Sequence, residues 1–310
     1  MIESPMDVLQ NHPVRRTGKQ KRSFRDAVQS YAENQGYRVT VEFGSLGSRN
    51  IVIGDPETAR YLVTAHYDTP SAWWVSNRMT PCHLPLLILS QILLAVGLFL
   101  PTAAVTLLTA YLMPGTRMWY LTAVVMVWLT FFWMVFGPAN PRNANQNTSG
   151  VVAVLEMMQS MPRNMRDRVC YALFDLGELG MVGSASYRKK HRYAVKIQTV
   201  LNLDCVGDGD TIMLFPEKNI KQDHRLMELL GAMERSCGDK SIQVRREGFT
   251  FFPSDQMGFP RGIGICALRG KGRFTYVGRI HTFRDNVLDY SNINILRACL
   301  VTLISSGAVE

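Results

Sequence analysis

Two long apolar stretches interrupt a chain that otherwise alternates short β-branched runs with segments of helical period. Between Arg78 and Arg142 the only charged side chain is Arg117. "LPLLILSQILLAVGLFLPTAAVTLLTAYLM", Leu84 to Met113, can cross a hydrocarbon core of about 30 Å as a helix, with length left for tilt or a kink at Pro101. "MWYLTAVVMVWLTFFWMVF", Met118 to Phe136, has about the minimum spanning length. It carries Trp119 and Tyr120 at one end and Phe131, Phe132 and Trp133 near the other, as interfacial anchors would be placed. "PGTR", Pro114 to Arg117, reads as the turn between them. The pattern predicts a transmembrane helical hairpin over residues 79–141, with the lipid bilayer as a partner. A hairpin returns the chain to the side it left. Arg78, Arg142 and the basic N-terminal region then share one side, opposite Arg117, which predicts a cell-membrane protein with its main domain in the cytoplasm.

Excising the hairpin leaves about 250 residues, enough for one domain, here 1–78 joined with 142–310. A helix is expected over 18–35, followed by strands in "YRVTVEF", "NIVIG" and "YLVTAH". After the hairpin, "SGVVAVLEMMQSM" has helical period, "RVCYALFD" reads as a strand, "GMVGSASYRKKH" as a helix and "VKIQTVLNLD" as a buried strand. "HRLMELLGAMERSC" is helical, "SIQVRREG" and "IGICAL" are strands, and "NINILRACLVTLISSG" closes the chain as a helix. Strands alternating with helices imply an α/β domain, with a largely parallel sheet covered on both faces.

Charge and cysteine content narrow the setting. The formal net charge is +9, concentrated at Arg15, Arg16, Lys19, Lys21, Arg22 and Arg25 and again at Arg188, Lys189, Lys190 and Arg192. Such clusters form either solvated helix faces or surfaces held against acidic lipid headgroups. No aromatic and basic residues interleave as they do where bases are stacked, so nucleic acid is not an expected partner. Cys82, Cys170, Cys205, Cys237, Cys266 and Cys299 show no C-x-x-C spacing and read as thiols of a reducing compartment. The N-terminal "MIESPMDVLQNHPVRR" has no apolar core of signal-peptide length, so ordinary secretion is not expected.

In open sheets of this kind, sites gather at the carboxyl ends of strands. His66 and Asp68, Asp175 and Glu178, Asp204, and His281 all fall at such ends or just beyond a short apolar run. His, Asp and Glu are ligands suited to zinc, and a pair of zinc ions about 3.5–4 Å apart needs a bridging carboxylate as well as a carboxylate base for the water. In order along the chain, "AHYDTP", "NQNTSGV", "FDLGELGMVGS", "NLDCVGDGD", "PSDQMGF" and "RIHTFRD" resemble the motif series of the co-catalytic zinc aminopeptidases of the aminopeptidase Y and aminopeptidase S type, relatives of glutaminyl cyclase. The inserted hairpin resembles a membrane-bound branch of that family.

The resemblance implies a three-layer α/β fold with a mixed, mostly parallel sheet, and one or two zinc ions. It further implies aminopeptidase-type hydrolysis of N-terminal residues from short peptides. By the same resemblance, His66 and Asp204 bind one zinc, Glu178 and His281 the other, and Asp68 orients His66. Two positions depart from the pattern: Gln146 stands where the bridging Asp belongs, and Gly177 where the general-base Glu belongs. Asp175, near the same strand end, is the candidate substitute base, acting through a water. Two readings therefore stand: a zinc aminopeptidase with an altered base, and a pseudopeptidase that keeps the pocket to bind peptides or a partner.

Overall fold

Side chains that alternate along the β-branched runs build one nine-stranded sheet, and its two faces carry separate apolar layers. The protein is described here by a computed structural model covering residues 2–270, 272 and 274–307. The strands are β1 (Val39–Phe43), β2 (Arg49–Ile53), β3 (Tyr61–His66), β4 (Val169–Phe174), β5 (Thr199–Leu203), β6 (Thr211–Pro216), β7 (Arg235–Cys237), β8 (Lys240–Val244) and β9 (Gly262–Leu268). Their order is β1-β2-β4-β3-β5-β9-β6-β8-β7. The centre, β4-β3-β5-β9, is parallel, and antiparallel pairs flank it. This mixed, three-layer α/β arrangement is the expected fold class.

Register explains the two layers, because in a pleated strand neighbouring side chains point to opposite faces. Val63 pairs with Tyr171 and Leu201 on one face, against helices α2 (Gly18–Asn34), α5 (Gly150–Ser160) and α10 (Tyr290–Ser306). Leu62 pairs with Cys170 and Val200 on the other, under α6 (Val182–Lys190). Helix α2 begins where the sequence predicts: Thr17 and Gln20 close a capping box, each side chain accepting from the other's amide.

Three expectations are corrected. "VKIQTVLNLD" is a strand only from Thr199; Ala194–Ile197 is a helical turn, since a short apolar run does not by itself distinguish the two. "HRLMELLGAMERSC" ends its helix at Gly231, and Arg235–Cys237 instead pairs with β8 through a tight turn in which Gly238 takes φ 61°. The strand Thr211–Pro216 was not anticipated. The N-terminal cations are not simply a solvated or lipid-facing surface: Arg15, Lys21 and Arg25 are buried, with Lys21 Nζ 2.5 Å from Asp175 Oδ1.

The hairpin consists of α3 (Leu84–Leu112) and α4 (Met118–Phe136), packed along each other. Both are long and apolar enough to cross a membrane, and only 17% and 6% of their apolar windows are buried, unlike the core helices of a soluble domain. Pro101 removes the hydrogen bond that would reach the carbonyl of Gly97, and Trp74 Nε1 donates to that carbonyl at 3.0 Å. At the other end, the last carbonyls of α4 are met by the domain. Arg16 donates to those of Val135 and Gly137, and Ser71 and Trp73 donate to that of Met134.

Candidate functional site

Parallel neighbours β3, β4 and β5 end together, and their last residues and following turns converge on one cavity. It is about 240 Å³ and is lined by His66, Gln146, Gly177, Glu178, Asp204 and His281, among others. The sequence-derived positions are thus gathered in space, with two exceptions. Asp68 sits behind His66: His66 Nδ1 donates to the Asp68 main-chain carbonyl at 3.1 Å, while the Asp68 carboxylate accepts from the amides of Gly177 (2.7 Å) and Glu178 (3.1 Å). Asp68 therefore fixes the turn after β4 as well as the imidazole. Asp175 does not line the cavity; its carboxylate accepts from Lys21 and from the amides of Arg49 and Leu176, which removes it as a substitute base.

The remaining groups stand in two pairs. His66 Nε2 is 3.7 Å from Asp204 Oδ1, and His281 Nε2 is 3.8 Å from Glu178 Oε2. Gln146 lies between them, donating from Nε2 to Glu178 Oε1 at 2.9 Å, with Cys205 Sγ 2.9 Å from its Oε1. Its backbone is held by Asp285, which accepts from the amides of Asn145 (2.7 Å) and Gln146 (2.9 Å). His281 sits on a turn where its own φ is 56° and that of Arg279 is 62°. Arg279 is locked by Asp208 at 3.0 Å, and the Trp73 ring stacks on His281 with centroids 4.2 Å apart.

Charge is arranged unevenly. Burial opposes a charge on His66, yet hydrogen bonds to Asp204 and Asp68 outweigh it and lift the imidazole well above its usual range. Burial also opposes the Asp204 charge, and His66, Ser254 and Cys205 overcome it and hold the carboxyl low. Burial raises Glu178 to about 7 and lowers His281 to about 4, in the latter case with the His66 charge adding to the effect.

Sequence reasoning missed three residues. Asp255, in the "SDQMGF" segment, lines the same cavity 2% exposed; neither carboxyl oxygen finds a partner, and burial raises it to about 6. Its only signal was a position in "PSDQMGF", one of the ordered motifs. Cys205 and Trp73 gave no signal beyond adjacency to Asp204 and to the hairpin.

Zinc is the metal the motifs imply. A catalytic zinc takes three protein ligands, whereas here each ion would find two, and among the described residues no three His, Cys, Asp or Glu side chains come together to hold a metal. A neutral amide replaces the carboxylate that would offset two dications. Its NH2 is already spent on Glu178, Ser254 Oγ donates to Asp204 Oδ2 at 2.5 Å, and buried His281 Nδ1 lacks the outer partner that orients a ligating histidine. The set does not fit a zinc centre. The general-base position is closed as well: a Cβ on Gly177 would stand 2.5 Å from His66 Cβ and 2.6 Å from His66 Cγ.

The sequence profile of peptidase family M28 matches residues 133–303, more than half of the chain. The chain belongs to peptidase family M28. That match contains Gln146, Gly177, Glu178, Asp204 and His281, and it begins after the strand end that carries His66 and Asp68. No curated protein matches by sequence. Among solved structures, Porphyromonas gingivalis glutaminyl cyclase is similar, with a TM-score of 0.60 and 16% identity, covering 98% of each chain. A Zn-dependent exopeptidase from Parabacteroides distasonis aligns with a TM-score of 0.59 and 15% identity over 97% of each. The Legionella pneumophila LapA aminopeptidase aligns with a TM-score of 0.58 and 13% identity, over 99% of this chain and 68% of its own. At these identities the likeness is one of fold.

Proposed function

We propose that this M28-family chain is a membrane-anchored protein that binds the amino-terminal residues of short peptides without hydrolysing them. The observation that carries the reading is the contact of Gly177 with His66. The position of the general base lacks a carboxyl group, and the space for one is closed. With no bridging acid at Gln146, the cavity keeps Glu178 and Asp255 facing a small volume, while His66 offsets Asp204. An α-ammonium group supplies the missing positive charge and the hydrogen-bond donors that Asp255 lacks. The hairpin anchors the domain, and Arg78 and Arg142 against Arg117 support a cytoplasmic domain. A Thr116→Cys chain labelled in intact cells by an impermeant maleimide checks this topology; labelling only after lysis would reverse it.

The second reading, a hydrolase with one altered zinc, draws on the surviving His66–Asp204 and His281–Glu178 pairs. Elemental analysis of the detergent-purified chain separates the two. Zinc no higher than in His66→Ala and Asp204→Ala chains, with no release of p-nitroaniline from leucine p-nitroanilide, is expected. Near-stoichiometric zinc that both substitutions abolish, with turnover, overturns the binding reading.

A further inference from the structure

A second cavity, about 660 Å³, lies at the seam between the domain and the end of α4. We propose that it is a specificity site for the apolar side chains that follow the amino terminus of a polypeptide lying at the bilayer surface. This rests on the peptide-binding reading above and adds which peptides are taken and from where.

Continuity comes first. Glu178 and His281 line both cavities, so the seam cavity joins the acidic one at the carboxylate expected to meet the ammonium. Chemistry comes second. The apolar part of its wall is formed by Trp73, Leu176 and Leu179 from the domain and Met134, Val135 and Phe136 from the last turn of α4, beside polar side chains from residues 16–21 and 68–71. That last turn belongs to a helix of membrane-spanning length, so the cavity opens where the apolar span ends, at the depth of the lipid headgroups. An amphipathic chain at that depth can reach it without leaving the interface. Charge decides between a lipid and a polypeptide. The cavity's two cations are already committed: Arg16 to the carbonyls of Val135 and Gly137, and Lys21 to Asp175. A phosphate headgroup finds no free cation there, whereas an ammonium finds Glu178. The seam is also held in shape, because Trp73 both stacks on His281 and donates to the Met134 carbonyl.

The test uses the full chain in phosphatidylcholine nanodiscs and two peptides labelled at their C-termini, one beginning Leu-Phe-Leu and the other Gly-Ser-Gly, followed by anisotropy. Burying one or two large apolar side chains is worth tenfold or more in affinity. The Leu-Phe-Leu peptide is therefore expected to bind at least about tenfold more tightly. Leu179→Asp is expected to bring that ratio close to one. Leu179→Trp, which stays apolar but fills the space, is expected to lower it as well, which guards against a folding defect of the charged variant. Equal affinities for the two peptides, or a ratio that neither substitution changes, overturns the inference while leaving the binding reading standing. If neither peptide binds, both readings are overturned. Displacement of the apolar peptide by phosphatidylglycerol added to the nanodiscs assigns the cavity to a lipid and also overturns the inference.

Discussion

Gly177 shows how the absence of one side chain is absorbed by its neighbours. The turn after β4 lies so close to His66 that even a methyl group collides with the imidazole base, and both Asp68 oxygens hold that turn by its amides. Gly177→Ala should therefore destabilise the domain by about 1–3 kcal/mol, the usual range for overpacking, as read from urea unfolding. Gly177→Glu should be at least as destabilising and should give no aminopeptidase turnover; a stable, active Gly177→Glu chain would show that the position can still receive its base. His66, Glu178, Asp204 and His281 were legible because ordered motifs carry them, whereas Asp255 was not, since a carboxyl becomes notable only when burial deprives it of partners. A separate residue-scale device lies on the far side of the sheet. His191 stands 2.5 Å from Glu57 and 3.0 Å from Glu42. Burial opposes its charge, but hydrogen bonds to those carboxylates prevail and raise it above 6.5, while His191 and Lys190 overcome burial to hold Glu42 below 4.5. The histidine's contribution is complete below pH 6.5 and fades as pH rises through its raised value; that of Glu42 is complete above 4.5 and fades below its lowered value. The gap in melting temperature between the native chain and His191→Gln should then be widest between about pH 4.5 and 6.5 and shrink as the pH rises further. A gap that grows with pH would refute the assignment.

At the scale of elements, the N-terminal strap shows what periodicity alone leaves out. Helix α2 was expected from the sequence, and the residues just before it read as one more basic cluster. Folding separates them: Arg15 is fully buried, donating to the carbonyls of Tyr67 and His12 and to Thr148, while Arg16 closes the end of α4. Long-range partners such as these, more than a hundred residues apart in sequence for Arg16, leave no local trace. The short strand β7 was hidden for a related reason, because its identity depends on β8 across the Gly238 turn rather than on its own three residues. Arg16→Ala should expose unpaired carbonyls at the seam and weaken the union of hairpin and domain by about 1.5–3 kcal/mol, the range for hydrogen bonds from a charged donor. The expected reading is faster proteolytic cutting near residues 137–142 in detergent, with Arg16→Lys, which keeps the charge without the two-pronged geometry, in between. Unchanged cutting in Arg16→Ala would mean that the seam is held by Ser71 and Trp73 alone.

For the whole molecule, the question is whether the hairpin is an insertion in a self-sufficient domain or part of its framework. The sequence places the boundaries at 79 and 141, where charge disappears and returns. Hydrogen bonds tie residues just inside those bounds to the domain. Met79 exchanges both hydrogen bonds with Val277, at 3.2 and 2.8 Å, and Asn140 Nδ2 donates to the carbonyls of Thr282 and Asp285, so both flanks brace the loop that carries His281. Packed helices lie about 8–10 Å apart, a gap that a few glycine and serine residues span. Replacing only residues 84–136 with such a linker should give a chain that is soluble without detergent and melts cooperatively. Replacing 79–141 removes the Met79 and Asn140 bonds as well and should melt lower by several degrees, since about 1–2 kcal/mol shifts a domain of this size by roughly 2–8 °C. Equal melting temperatures would place the boundaries where charge alone puts them. If the shorter excision aggregates while the full chain is stable in detergent, the hairpin is part of the framework, and the Trp74 and Arg16 contacts to its two helices are what the domain needs in order to stand.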